Sequence, residues 1–266
     1  MFDRIRQIFR APEIRATPAI PPGQRVYAIG DIHGRLDLFA ALVDAIEADD
    51  ASRAKADTAI VLLGDLVDRG PDSAGVIALA QALTARRKVR IVAGNHEEMF
   101  LRSFDDTETF RHFLRFGGRE TILSYPIDRE AYRQADIGEA QVLMQQAVPE
   151  ADRTFLAGFE DGVTIGDYLF VHAGIRPGVG IDDQSRMDLR WIREPFLSHA
   201  GSHGVMVVHG HTITDEPVIA ANRIGIDTGA YRSGRLTALG LEGTERWIVE
   251  AAASDGDAIA VSTRAA

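Results

Sequence analysis

Ala59-Ile60-Val61-Leu62-Leu63-Gly64-Asp65-Leu66-Val67-Asp68-Arg69-Gly70 is an apolar run that stops abruptly on Gly and Asp. A short apolar run closed by turn residues reads as a buried strand entering a loop. Four more runs end in the same way. Val26-Tyr27-Ala28-Ile29 leads into Gly30-Asp31-Ile32-His33-Gly34, and Val89-Arg90-Ile91-Val92-Ala93 into Gly94-Asn95-His96-Glu97. Tyr168-Leu169-Phe170-Val171 leads into His172-Ala173-Gly174, and Val205-Met206-Val207-Val208 into His209-Gly210-His211-Thr212. In open α/β sheets, ligands bind just past the carboxyl ends of the strands. The five polar endings are therefore expected on one rim of one sheet.

Between the first runs the period changes. Leu38, Leu42, Val43 and Ile46 recur at helical spacing in 36–48, and Val76, Ile77, Leu79, Ala80 and Leu83 do so in 73–85. Strand, loop, helix, strand predicts βαβ units and a mainly parallel sheet. The domain proper is expected over 25–250. From 98 to about 160 the pattern is helical, broken at Gly117-Gly118 and Pro126, and reads as a helical insertion beside the rim that sets substrate choice. Runs at 223–229, 236–241 and 246–249, separated by Gly-rich turns, suggest an antiparallel meander. Residues 251–266 are weakly patterned and read as a loose tail. Residues 1–24 form an N-terminal extension. It holds a short amphipathic helix over 1–10 (Phe2, Ile5, Ile8, Phe9) and a Pro-rich connector over 11–24.

The 266 residues suffice for one sizeable core, and 45% hydrophobic with 26% charged residues is ordinary for a globular protein. The absence of Cys excludes disulfides, thiolate metal sites and a Cys nucleophile. A net charge of −10 argues against sequence-independent binding to nucleic acid or anionic membrane. No stretch is long and apolar enough to span a bilayer, and the first ten residues lack a secretory signal. A cytoplasmic monomer is the default expectation.

The polar endings carry a recognisable donor set. Cleaving a phosphate ester at neutral pH requires charge neutralisation on the phosphoryl group, a nucleophile made from water, and a proton for the leaving oxygen. Asp31 and His33 lie two residues apart in a Gly-flanked loop, where both can reach one ion. Asp65 is the natural bridging carboxylate, and Asn95, His172 and His211 complete a second site. Carboxylate, imidazole and amide donors suit Mn2+ first, with Fe, Zn or Co as alternatives, better than Ca2+. Asp68 and His96 remain as a pair. His96 would protonate the leaving oxygen and Asp68 would fix its tautomer, while Arg69 could fork onto phosphoryl oxygens.

These motifs, in this order over about residues 25 to 245, resemble the metallo-dependent phosphatases. The resemblance is greatest to the phosphoprotein-phosphatase branch, with its lambda-phosphatase-like bacterial members and the symmetrical diadenosine tetraphosphate hydrolases. It implies an α/β fold of four layers, α/β/β/α, with a mixed β-sandwich flanked by helices. It implies Asp31, His33 and Asp65 on one metal, and Asp65, Asn95, His172 and His211 on the other. A second phosphate-binding Arg is also implied; Arg193 in Trp191-Ile192-Arg193-Glu194 is the candidate, with Arg190 and Arg176 as rivals. The implied activity is a phosphomonoesterase using metal-bridged hydroxide, acting on Ser/Thr or Tyr phosphoproteins or on a small phosphoester. The alternative is symmetrical cleavage of a dinucleoside polyphosphate, with Phe104, Phe110, Phe113, Phe116 and Tyr125 available for an adenine cleft. A catalytically silent binding module would lack a ligand or the acid pair, and none is missing.

Some residues stay open. Ile213 at the place where phosphodiesterases carry a second metal-binding His favours the monoesterase-type ending, so His209 is expected behind the ligands. His112, His199 and His203 lie outside the motifs. Asp227 could orient a ligand or cap a turn, Tyr231 could reach the rim, and Glu97 could stabilise its loop.

Overall fold

In β1 (Gln24–Ile29) alternate side chains enter two different cores. Tyr27 and Ile29 pack with Ile60 and Leu62 of β2 (Asp57–Leu62) against Leu38, Phe39 and Leu42 of α1 (Leu36–Ser52) and Val76 and Leu83 of α2 (Ser73–Arg86). Val26 and Ala28 point the other way, with Val61 and Leu63, into a core shared with a second sheet. The computed structural model describes residues 17–254 and 258–266, so the expected helix over 1–10 lies outside the described residues.

The first sheet has six strands in the order β11-β10-β9-β1-β2-β3. β1, β2 and β3 (Lys88–Ile91) are parallel. β9 (Arg235–Glu242) runs antiparallel to β1, and β10 (Glu245–Ala253) and β11 (Ile259–Ala265) continue that antiparallel half. The second sheet has the order β4-β5-β6-β8-β7, from β4 (Val163–Ile165), β5 (Tyr168–Phe170), β6 (Met206–His209), β7 (Val218–Ile219) and β8 (Arg223–Gly225). Tyr168, Phe170, Met206, Val208 and Ile224 fill the space between the sheets. Leu169, Val171 and Val207 face outward onto Leu189 of α9 (Arg186–Trp191), Ile192 and Phe196. Helices, sheet, sheet and helix make the expected four layers.

Three expectations are corrected. The five motif strands do not share one sheet: β1, β2 and β3 belong to the first, β5 and β6 to the second. The runs of β1, β2, β5 and β6 are largely buried on both faces, so nothing in them distinguishes one sheet from two. The 223–249 region is not one meander. β8 pairs parallel with β6 in the second sheet, and only β9 and β10 return to the first. Residues 251–266 are not a loose tail, because β11 pairs with β10 from Trp247↔Ala265 to Ala253↔Ile259. Its side chains are mostly exposed, so ladder hydrogen bonds hold it and no apolar period announces it. Upstream of β1, Ile20 is buried between the sheets and its N–H donates to Gly243 O (2.8 Å), which ties residues 17–23 to the domain.

Between β3 and β4 the chain is helical: α3 (Asn95–Arg102), α4 (Thr107–Phe113), a π-helical turn Leu114–Gly118, α5 (Arg119–Ser124), α6 (Arg129–Gln134), α7 (Ile137–Ala147) and α8 (Glu150–Ala157). Phe100, Phe104, Phe110, Phe113, Ile122, Tyr125 and Met144 form a core of their own there. Each such side chain contributes about 1.5–3 kcal/mol on full burial. Four aromatics considered for an adenine cleft, Phe104, Phe110, Phe113 and Tyr125, are thus structural, and Phe116 alone of that group is exposed (46%).

Candidate active site

The polar endings converge even though their strands come from two sheets. The loops after β1 and β2 supply Asp31, His33, Asp65 and Asp68, the first turn of α3 after β3 supplies Asn95 and His96, and the loops after β5 and β6 supply His172 and His211; all eight are buried. Tight loops bring them together. Among the described residues, the non-glycine residues with left-handed backbone are His33 (φ 46°), Asp65 (50°), Asp68 (75°), Arg69 (68°) and His211 (62°). Each costs on the order of 1–3 kcal/mol, and such strain clusters where function demands a side-chain direction. Two glycines allow the close approach: a Cβ on Gly94 would lie 2.1 Å from Asp65 Oδ1, and one on Gly210 would lie 2.0 Å from Asp31 Oδ1.

The donors form two overlapping groups that share Asp65. One contains His33, Asp65 and His96; the other contains Asp65, His172 and His211. In the second, His172 Nδ1–H donates to Leu63 O (2.7 Å), which leaves a lone pair on Nε2. That lone pair faces Asn95 Oδ1 at 3.0 Å and Asp65 Oδ2 at 3.3 Å. At that spacing a cation belongs between the nitrogen and the oxygens, either a proton held by Nε2 or a metal ion in its place. Burial lowers the His172 pKa, but the charges of Asp65 and Asp31 outweigh it and carry it up to about 10. Burial, then the charge on His172, lowers His211 to about 3, and its buried Nε2 has no hydrogen-bond partner among the described residues. Asp31 accepts from His211 N–H (3.0 Å), and burial with the charges of Asp227 and Asp65 pushes its pKa well up. Buried carboxylates, with imidazole nitrogens turned toward them that give up any proton on binding, fit a divalent metal.

The first group departs from the expected set, because His96 rather than Asp31 groups with His33 and Asp65. His33 Nδ1–H donates to Val67 O (2.8 Å), again exposing the Nε2 lone pair, and Arg69 Nη1 donates to it (2.7 Å). Arg69 Nη2 donates to His96 Nε2 (2.8 Å), a hydrogen bond that is released when Nε2 carries a proton. With His33 as a ligand, that lone pair passes from Arg69 to the ion.

His96 and Asp68 pair as the sequence suggests, with Nδ1–H donating to Asp68 Oδ2 at 2.6 Å. Burial disfavours the imidazolium, yet Asp65 and Asp68 overcome it and raise the His96 pKa. Nε2 faces a cavity of about 390 Å³. Arg69, Arg193, Phe116, Trp191 and Tyr231 also line it. The Arg69 guanidinium lies 4.8 Å over the Tyr231 ring, so Tyr231 does reach the rim. The rival arginines are committed elsewhere: Arg176 pairs with Asp188, and Arg190 with Glu98 and Asp161. Arg193 makes no ion pair among the described residues. Arg193→Ala is expected to lower kcat/KM by about 10- to 100-fold, the size of a hydrogen bond to a charged group. Arg176→Ala is expected to leave kcat/KM near the parent value; steady-state kinetics on one phosphoester checks both.

Other residues fall outside the donor groups. His209 packs edge-on against Phe196 (5.1 Å), and burial lowers its pKa to about 4. Asp227 caps a turn. It accepts from Gly229 N–H (2.9 Å) and stands beside Asp31, and burial lifts it to about 6. Glu97 does more than its sequence position suggests. Its buried carboxylate accepts from the N–H groups of Asp65 (2.9 Å), Leu66 (2.7 Å), Val67 (3.4 Å) and Gly94 (2.9 Å). Thr121 and Ser73, which contact Asp68, were not anticipated at all, because no motif contains them.

The calcineurin-like phosphoesterase family matches residues 24–230, which include every one of these side chains except Tyr231. The chain belongs to this family. Like other calcineurin-like phosphoesterases it is a metal-dependent phosphoester hydrolase. It is 27% identical over 231 residues to a bis(5'-nucleosyl)-tetraphosphatase PrpE [asymmetrical] of Anoxybacillus flavithermus, covering 79% of this chain and 88% of that protein. It is 29% identical over 227 residues to the Bacillus cereus protein of the same name, with the same coverage. Among solved structures it resembles a protein provisionally named as a diadenosine tetraphosphatase (TM-score 0.61, 20% identity, 93% of this chain and 98% of that one). It also resembles the cold-active protein-tyrosine phosphatase of a Shewanella species (TM-score 0.54, 17% identity, 91% and 83%). These two likenesses concern the fold.

Proposed function

We propose that this phosphoesterase hydrolyses a dinucleoside polyphosphate. The observation that carries the reading is the cavity, where two guanidinium groups and His96 lie beside the flat apolar surfaces of Phe116, Trp191 and Tyr231. Cations next to aromatic faces suit a polyphosphate that carries a base. The tetraphosphatases among its relatives support the same substrate class.

Asp31, His33 and Asp65 would hold one divalent ion, and Asp65, Asn95, His172 and His211 the other, with Mn2+ the first choice and Fe, Zn or Co alternatives. Such ions supply charge neutralisation at the phosphoryl oxygens and acidify water. Arg69 and Arg193 orient the phosphoryl group, Asp68 holds the His96 tautomer, and His96 delivers a proton to the leaving oxygen. The names of the relatives favour asymmetrical cleavage, to ATP and AMP, over the symmetrical cut to two ADP.

The second reading is a phosphomonoesterase acting on phosphoproteins. It is favoured by His209, which packs against Phe196 and leaves His211 as that loop's contribution to the donor groups. The test is a set of rates on diadenosine tetraphosphate, a phosphopeptide and an aryl phosphate, with Mn2+, Zn2+ or Co2+ and chromatography of the nucleotide products. ATP and AMP, with kcat/KM highest on the dinucleotide, is the expected result. A preference for the phosphopeptide would replace the first reading with the second.

A further inference from the structure

The acid pair is held from outside its own motifs. Asp68 Oδ2 accepts from His96 Nδ1–H, and Asp68 Oδ1 accepts from Thr121 Oγ1–H at 2.7 Å. Thr121 lies on α5 of the helical segment and is fully buried. Its hydroxyl has one proton and two lone pairs. With the proton on Asp68, the lone pairs receive Asp68 N–H (2.8 Å) and the hydroxyl of Ser73 (2.9 Å). The neighbouring π-helical turn grips the next residue, since Gly117 O accepts from Arg69 N–H at 3.0 Å. Gly117 sits at φ 105°, and a Cβ there would lie 2.7 Å from the Arg69 nitrogen. Short π-helical segments are frequent at functional sites, and this one also carries Phe116 to the mouth of the cavity.

We propose that Thr121 is a positioning residue for proton delivery: it locks the Asp68 carboxylate in the orientation that aims His96 Nε2 at the leaving oxygen. Core packing alone does not require it. A buried Val would fill the same volume, whereas the hydroxyl satisfies both the left-handed Asp68 backbone and its carboxylate. The hydrogen-bonded chain Thr121–Asp68–His96 makes the helical segment part of the acid machinery as well as a wall of the substrate cavity.

This inference rests on His96 acting as the general acid, so T121V, T121S and H96N are compared on one leaving-group series. The series runs from para-nitrophenyl phosphate, whose leaving group needs little protonation, to an alkyl phosphate that needs much. T121V is expected to lower kcat on the alkyl phosphate by about 10- to 100-fold, the size of a hydrogen bond to a charged group. KM and the para-nitrophenyl rate should change little, and T121S should restore the loss. Independently of activity, the downfield proton NMR signal of His96 Nδ1–H should shift in T121V and return in T121S. A T121V effect equal on all substrates, or no effect, alongside a leaving-group-dependent H96N, overturns the role of Thr121 alone. An H96N profile flat across the series overturns the acid assignment and this inference with it.

Discussion

His96→Asn is expected to lower turnover of an alkyl phosphate by about 100-fold or more, the usual contribution of a positioned general acid, with metal content unchanged. The expectation rests on the environment of the ring. Nδ1 is committed to Asp68 at 2.6 Å, so only Nε2 can give a proton to a leaving oxygen in the cavity. Asparagine has no titratable proton to give. The size of the loss should follow the basicity of the leaving group. An alkoxide cannot depart unprotonated, whereas a nucleoside phosphate leaving from an anhydride is a weak base and needs little help. The H96N profile therefore also reports on the natural reaction: a small loss on diadenosine tetraphosphate beside a large loss on an alkyl phosphate means that the acid is dispensable for anhydride cleavage. Equal activity of H96N and parent on the alkyl phosphate would remove His96 from the acid role.

Most of this site was legible because its chemistry is written in short polar endings. Asp31, His33, Asp65, Asn95, His172 and His211 each lie within a few residues past the end of an apolar strand, and their residue types alone suggested metal donors. The sheet to which each strand belongs was hidden. Val61 and Val207 are both fully buried, and a strand covered on both faces reads the same in either sheet. The choice among Arg176, Arg190 and Arg193 was also hidden, because it depends on which guanidinium already has a carboxylate, and Asp188 and Asp161 are brought there by tertiary structure. Thr121 and Gly117 act through a hydroxyl and a backbone carbonyl from a separate helical segment. Such contacts carry no residue pattern. Glu97 is intermediate: it lies inside a motif, but three of its four targets are backbone N–H groups on another loop, which sequence does not display.

Glu97→Ala is expected to destabilise the protein by at least about 3 kcal/mol, because buried donors left without partners cost about 1–3 kcal/mol each. Four backbone N–H groups lose their acceptor at once. Part of that loss is offset, since burial and the nearby charge of Asp65 raise the Glu97 pKa and make the carboxylate itself costly to bury. Three of the donors nevertheless belong to the segment whose left-handed residues, Asp65, Asp68 and Arg69, need outside support. Glu97→Gln should fall between the two proteins. Its amide oxygen can serve one side, Leu66 and Val67 or Asp65 and Gly94, but its NH2 then faces the other pair donor to donor. Urea unfolding of the three proteins checks the order, with the midpoint falling from parent to Gln to Ala and the slope unchanged. Titrating each with Mn2+ or Zn2+ tests the link to the site, because Asp65 N–H is one of the released groups and Asp65 is shared by both donor groups. An Ala variant within about 1 kcal/mol of the parent, in the range of ordinary substitutions, would show that water replaces the carboxylate and that Glu97 does not hold the loop.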